Sequence, residues 1–404
     1  MIEEADAVVI GAGAFGASVA YHLARRGIKR VALVEKFAIA SQTSRRAAGL
    51  TGQNRSTEAM TRLAALAVRK IAHFTAETGE PLVFHQTGSL KIARIPEHEA
   101  QLHDEVERGQ RLGLDVDFIS PSEAAMLSPF LRPDGIRAVS YMQSDLYLDP
   151  WQLPLAYARA AERLGATLLP HTAVTEIAMH DGAVTGVVME QGTIRTPVVV
   201  DTAGAWTRQI GAMVGLRIPL VPTRHQLVIT DPIDGVADAQ PIVRIIDVNL
   251  YVRPERGGLM FGGYEPDPLQ VEMDQLPPGF QIADLVLDLG VLRQLAARVA
   301  EQLPVLQDFT VREHRGGLPT MTPDGKHLIG PLPGVHGFWV ASGCCVGGLS
   351  ISPAVGEVLA DWIIEGEPGM DLSLCAPDRF GPEYQSDAAL ADACRWQYAY
   401  HYSA

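Results

Sequence analysis

A chain of 404 residues, 47% hydrophobic and 20% charged, has the composition of an ordinary globular protein, long enough for two domains or one large domain with an insertion. Its formal net charge of −14 argues against a nucleic-acid partner or an anionic membrane surface, both of which want a basic face. No apolar run reaches the roughly 18 residues of a membrane span. The acidic start MIEEADAVVI does not look like a secretion signal, and four cysteines without C-x-x-C spacing suggest a reducing, cytoplasmic setting with no metal site.

The first element is the apolar run Ala7 to Ile10, fit for a buried parallel strand. It opens into VVIGAGAFGASVAYHLARRG, where Gly11, Gly13 and Gly16 follow a G-x-G-x-x-G pattern. Phe15, Val19 and Leu23 then recur at helical spacing. Arg25 and Arg26 sit where a helix end favours cations, and Gly27 supplies a left-handed cap. A second apolar run, Val31 to Val34, ends in Glu35, close to the roughly 20-residue separation expected of a ribose-binding acid. Gly11 permits the tight turn, Gly13 lets the backbone approach a pyrophosphate, and Gly16 lets helix and strand pack closely. With Ala14, Phe15 and Lys36 these residues form the first part of a dinucleotide site at a helix N-terminus. Glu35 disfavours a 2′-phosphate. The loop alone does not separate NAD from FAD.

The chain does not continue as regular βαβ units. FAIASQTSRRAAGLTGQNR (37–55) has the composition of a ligand-lining loop, and helical spacing returns from Glu58 to Thr78. Residues 96–128 are expected to be helical and acidic. A turn at Asp149–Pro150 precedes a helix from about Trp151 to Arg163, followed by several β-branched strands. Between Pro219 and Phe309 the pattern is mixed, with strands Gln226–Ile229 and Gly258–Phe261 and a helix-like stretch Ile282–Leu303. Glycine-rich strands near residue 340 then lead into a helix with Ser352 as N-cap and Pro353 in first position. The fold expected is α/β (α+β overall). A discontinuous Rossmann-type nucleotide domain (1–85, 150–220, 320–375) carries a mixed-sheet substrate domain (86–149, 221–319) and a C-terminal tail (376–404).

The opening loop with Glu35, SQTSRRAAGL, DTAGAW (201–206) and DGKHLIGP…ASGCCVGGLSISPAVGEVLADWI together resemble the D-amino-acid-oxidase superfamily of FAD-dependent oxidoreductases. RHQLVIT (224–230), LYVRPERGGLMFGGYE (250–265) and the tail GEPGMDLSLCAPDRFGPEY look most like the flavin domain of sarcosine and dimethylglycine dehydrogenases, with glycine oxidases nearby. The resemblance implies FAD and adds Thr43, Ser44, Ala48, Gly49 and Leu50 beside pyrophosphate and ring. It also adds Val174 at adenine, Gly204, Trp206 and Gly317, and Gly347, Gly348, Leu349 and Ser350 against the flavin, whose N1–C2=O edge the following helix should face. Several positions depart from the family. Arg46 stands where dimethylglycine-type chains carry a flavin-linking His, and Gly317 where monomeric sarcosine oxidases carry a linking Cys, so non-covalent FAD is expected. Pro319 replaces a carboxylate-binding Arg of glycine oxidases, and Met260 an oxygen-activating Lys. The chain ends near His401, roughly where relatives begin a folate-binding domain, so one-carbon transfer to folate in cis is not expected.

The resemblance places C–H oxidation next to nitrogen here, with a small-molecule amine as substrate and O₂ or an electron-transfer acceptor as partner. The expected substrate is an N-substituted glycine, such as sarcosine, dimethylglycine or a bulkier N-alkyl or N-carboxymethyl type, and an oxidase is favoured over a dehydrogenase. His225 and Tyr251 are the catalytic candidates, with a buried structural histidine and core packing as the competing explanations. Arg253 and Arg55, ahead of Arg224 and Arg315, are the candidates for a substrate carboxylate. Cys344 and Cys345 are expected to be packing residues. The alternatives are a 2-hydroxy acid oxidase or dehydrogenase, an NAD enzyme, and the flavin subunit of a heteromeric dehydrogenase.

Overall fold

In the computed structural model, which describes residues 2–402, the first apolar run is strand β1 (Ala7–Ile10), buried along its whole length. It lies inside a six-stranded sheet assembled from distant segments. β2 (Val31–Val34) and the strand Val199–Asp201 flank it in parallel, with Val8 opposite Ala32 and Val199. Thr167–Leu169 extends one edge; Phe338–Ser342 and the antiparallel Leu328–Pro331 extend the other. Strand alternation explains the double burial. Ala7 and Val9 face a helical layer, while Val8 and Ile10 face a three-stranded antiparallel sheet through Ile177, Val184 and Val187. The helical layer is led by α1 (Ala14–Arg25), which packs against Gln152–Arg163 and Gly348–Glu365.

A second, eight-stranded mixed sheet runs from Val311–Gly317 through His225–Thr230, Gly258–Gly263, Leu250–Glu255, Ile242–Ile245, Ser89–Ala93 and Ala138–Met142 to Val116–Ile119. One face is sealed by Leu292, Leu295 and Ala296 of the helix Leu289–Ala297. The other face carries Leu227, Tyr251 and Met260, against which Leu390, Cys394 and Tyr398 of the helix Asp387–Ala399 pack. A cavity of about 810 Å³ runs between the two sheets.

Three local expectations are corrected. Residues 96–128 are not all helical: helices Pro96–Arg111 and Pro121–Leu127 flank a four-residue edge strand, Val116–Ile119, which pairs with Ala138–Met142. Such a short strand is fixed by its distant partner rather than by local pattern. The stretch 282–303 is broken, because Asp284 closes a 3₁₀ turn and Asp288 caps a separate helix by accepting from the Gly290 N–H at 2.8 Å. The helix expected at Ser352 starts at Gly348 instead, and Pro353 lies inside it. Proline is tolerated there because the Leu349 carbonyl, which the missing Pro353 N–H would have served, accepts instead from the Ser352 hydroxyl at 2.9 Å.

Candidate active site

The cavity has two chemically different ends. At the first, the β1–α1 turn is built for close approach. Gly11 is left-handed at φ +101°, and a Cβ there would meet the Thr202 carbonyl oxygen at 2.7 Å. A Cβ on Gly16 would run into the Gly11 carbonyl and the Thr202 hydroxyl. Thr202 fills that space and donates to the Ile10 and Gly11 carbonyls at 2.8 Å each. Ser44 accepts from the Ala14 N–H at 3.0 Å, tying the 43–50 loop to the start of α1. The other first-turn amides of α1 have no intrahelical carbonyl and face an anion-binding position. Glu35 closes this end by accepting from the Ala12 N–H at 2.7 Å and the Phe37 N–H at 2.8 Å. Burial raises its carboxyl above the ordinary range, while those two amides pull the other way. Each of its oxygens keeps a lone pair for a ribose hydroxyl.

The cofactor residues expected from the sequence gather along this cavity. Gly11, Gly13, Ala14, Phe15, Glu35 and Lys36 lie at one end, and Val174, Gly204 and Trp206 beside them. Thr43, Ser44, Ala48, Gly49 and Leu50 form the next wall, and Gly317, Gly347, Gly348, Leu349 and Ser350 the one after. Gly16 lies beneath the wall as a packing residue. Gly49 is left-handed and pressed on the Leu148 carbonyl. Gly317 leaves room for Thr43, whose hydroxyl accepts from the Leu318 N–H at 3.2 Å. The helix beginning at Gly348 presents its positive end to this wall. Arg46 lines the cavity and donates to the carbonyls of Ser41 (2.6 Å) and Gln42 (2.9 Å), so it braces the loop where a linking side chain would stand. An elongated cradle, a helix N-terminus for phosphate, an acid for ribose and a glycine-lined wall for a flat ring fit FAD.

The second end is charged. Arg55 lines it, and its guanidinium makes no hydrogen bond or ion pair among the described residues. Arg244, from the strand Ile242–Ile245, stands beside it, donates to the Thr51 carbonyl and keeps 3.9 Å from the Asp145 carboxylate. Asp145 is occupied by Ser89 (2.5 Å) and the Gln53 N–H (3.1 Å). Beyond Arg244 the cavity continues into a polar annex of Asn54, Lys91, Glu105, Ser140 and Met142, where Lys91 holds both Glu105 oxygens at 2.6 and 2.7 Å. At this end Arg55 is left facing the cavity with no hydrogen bond or ion pair to its guanidinium among the described residues.

Arg253 is not in this site. It is 1% exposed, makes a 2.6 Å ion pair with Glu255, donates to the Ala48 carbonyl at 2.9 Å and stacks on Tyr147. Buried behind the cavity wall and ion-paired, it does not reach a substrate carboxylate, and it holds the loop that carries Ala48. Arg224 and Arg315 also lie off the cavity wall, occupied by Glu265 and Glu313. His225 and Tyr251 do line the cavity, as neighbours. His225 Nε2 lies 2.9 Å from the Tyr251 hydroxyl and Nδ1 lies 2.8 Å from that of Tyr398. Burial drives His225 down to about 3, so it is neutral and spends both nitrogens on tyrosines. Met260 is fully buried behind this wall, and Cys344 and Cys345 are free thiols.

Sequence reasoning missed Arg244, the annex and the C-terminal segment. The signal for Arg244 is a charge inside the apolar strand IVRI. From the C-terminal segment Gln397, His401 and Tyr402 all reach the cavity. Among the described residues no helix is long and apolar enough to cross a membrane, and no cluster of metal-ligating side chains occurs.

The sequence model of the family described as "FAD dependent oxidoreductase" matches residues 6–362. The chain is 32% identical over 387 residues to the mitochondrial dimethylglycine dehydrogenase of Rattus norvegicus, covering 94% of this chain and 45% of that one. It is 31% identical over 398 residues to the mitochondrial sarcosine dehydrogenase of Mus musculus, covering 97% and 42%. The chain thus spans less than half the length of these relatives. Among solved structures it superposes on L-proline dehydrogenase from P. horikoshii with a TM-score of 0.84 at 28% identity, over 94% of this chain and 98% of that one.

Proposed function

We propose, for a chain that belongs to the FAD-dependent oxidoreductase family whose model spans most of its length, that it oxidises a C–H bond next to the nitrogen of a small secondary or tertiary amino acid. The observation that carries this reading is Arg55: a cavity-lining guanidinium beside the Gly347 wall, with no hydrogen bond or ion pair among the described residues. An uncompensated cation in a partly dry cavity favours a monoanionic ligand, and a guanidinium fork matches a carboxylate. Dimethylglycine, sarcosine and L-proline, named in the relatives, are all amino acids whose nitrogen carries more than one carbon.

Bound FAD supplies a hydride acceptor for this chemistry. Arg55, with Arg244 beside it, holds the carboxylate. Tyr251, backed by His225, borders the space left for the amine. The lost hydride leaves an iminium, which takes up one water and splits into a carbonyl compound and an amine. The polar annex past Arg244 gives room for an N-substituent larger than methyl, so the substrate class proposed is an N-substituted glycine. FAD is held without a covalent bond in this reading, because Arg46 and Gly317 stand at the linking positions.

The test is anaerobic bleaching of the purified, FAD-loaded protein by sarcosine, dimethylglycine, bulkier N-alkyl glycines, L- and D-proline, glycine and 2-hydroxyglutarate, followed by air. Bleaching by an N-substituted glycine is expected, and the rate of recovery in air separates O₂ from another acceptor. Bleaching by the hydroxy acid alone would reverse the assignment. Acid precipitation should release the flavin into the supernatant.

A further inference from the structure

The amine reading needs a group that removes a proton from nitrogen, since an amino acid enters as an ammonium whose lone pair is occupied. Arginines 55 and 244 donate only. Lys91 is committed to Glu105. Burial raises the hydroxyls of Tyr251 and Tyr264 well above their ordinary range, so both stay protonated. His225 has a tyrosine hydroxyl on each nitrogen. One group is left. His401 lines the cavity, stacks flat on Tyr264 with ring centroids 4.2 Å apart and planes at 13°, and neither of its nitrogens makes a hydrogen bond among the described residues. Its position is not accidental. Asn249, in a left-handed conformation at φ 54°, donates to the Ala399 carbonyl at 2.9 Å and accepts from the Tyr402 N–H at 3.0 Å. Gln101 fixes the Tyr402 carbonyl at 2.6 Å. The segment carrying His401 is therefore clamped on both sides of the ring.

We propose that His401 takes the proton from the substrate's amine nitrogen while the carboxylate lies on Arg55; this rests on the amino-acid reading above. The ammonium N–H bond breaks, its electron pair stays on nitrogen as the lone pair that hydride departure requires, and the proton joins the free lone pair of the imidazole. The imidazolium returns the proton to water after the product leaves. The groups facing His401 set the timing. Burial above all, then the charges of Arg55 from the loop before residue 58 and of Lys91 and Arg244 from the substrate sheet, hold its basicity well below the ordinary value; His225, packed on the same Tyr264, is neutral. Tyr264 covers one face of the ring, Tyr402 stands tilted beside it, and Glu105 and Asp145 balance Lys91 and Arg244. Empty, the ring is neutral and ready to accept. A carboxylate on Arg55 offsets the positive field and raises its proton affinity when the ammonium arrives.

The test uses the FAD-loaded protein with ¹⁵N-labelled histidine, His401→Gln identifying the resonance. 2-Aminoisobutyrate, which has an ammonium but no α-hydrogen, should convert the His401 ring to imidazolium, whereas isobutyrate should leave it neutral. In His401→Gln, kcat/KM for anaerobic flavin reduction should fall about 100-fold near pH 7. It should then rise tenfold per pH unit towards the amine's own pKa, because only pre-deprotonated substrate can react. His401→Asn serves as a second replacement should the Gln variant lose FAD. A ring that stays neutral with 2-aminoisobutyrate, or variants that keep the wild-type pH profile, would overturn the proposal. If no amino acid bleaches the wild-type flavin, the substrate reading fails before His401 is at issue.

Discussion

The two ends of the cavity are built on opposite plans. At the glycine end, Ala12, Ala14, Glu35, Phe37 and Ser44 lie within a short stretch of chain, and the backbone amides of Ala12, Phe37 and Ala14 are satisfied by Glu35 and Ser44. At the charged end, Arg55, Lys91, Arg244, Tyr251 and His401 come from separate segments, and the Arg55 guanidinium and the His401 nitrogens make no hydrogen bond among the described residues. The first end is a finished scaffold whose ligand replaces water at preset amides; the second stores unsatisfied capacity that a substrate must complete. Substitutions at the first should therefore cost the cofactor, and at the second the substrate.

The largest effect expected is at Gly16. Gly16→Ala drives a methyl into the Gly11 carbonyl and Thr202, and should abolish FAD retention, read from the flavin-to-protein absorbance ratio. Gly369→Ala, where the added methyl meets nothing within 4 Å, should leave that ratio unchanged. Next come the two arginines that the sequence could not rank. Arg253→Met removes the buried partner of Glu255, leaving it only the half-exposed Arg256, and frees the Ala48 carbonyl; it should cost about 2 kcal/mol of stability, with KM for substrate unchanged; denaturant titration and steady-state kinetics check both. Arg55→Met should do the reverse, retaining FAD and stability while kcat/KM for an amino-acid substrate falls roughly 100-fold. Equal behaviour of the two variants would erase the distinction between framework and site.

A smaller effect concerns pH. His225 is held neutral down to about 3 and His327 to about 4, against an ordinary value of 6.5. The unfolded chain takes up protons below 6.5 that the folded chain refuses. Stability from these residues is thus complete above 6.5 and drains as the pH falls towards those values. His225→Asn should make the stability curve between pH 6 and 4 shallower by up to about 1.4 kcal/mol per pH unit. An unchanged slope would mean that His225 is protonated in the native protein.

The same contrast explains what could be read from the chain. β1, β2, Glu35 and the glycine spacing are local facts: strand length, helix period and a turn that only glycine fits. Ser352–Pro353 misled because the rescue of the Leu349 carbonyl by a hydroxyl one turn inside a helix is invisible in a capping pattern. Arg253 misled because its partner Glu255 lies two residues away on the same strand face, a pairing that spacing permits but does not require. His401 was out of reach, since nothing near it says that Asn249 will clamp the segment against the other sheet.

The central claim is that an amino-acid carboxylate is bound by Arg55 at the far end of an FAD cradle. It is tested most directly by the anaerobic flavin-reduction rate for the best N-substituted glycine and for its carboxamide, in wild type and in Arg55→Met. The account predicts that wild type favours the acid by about 100-fold and that Arg55→Met loses most of this preference. Equal rates for acid and amide in the wild-type protein would contradict it.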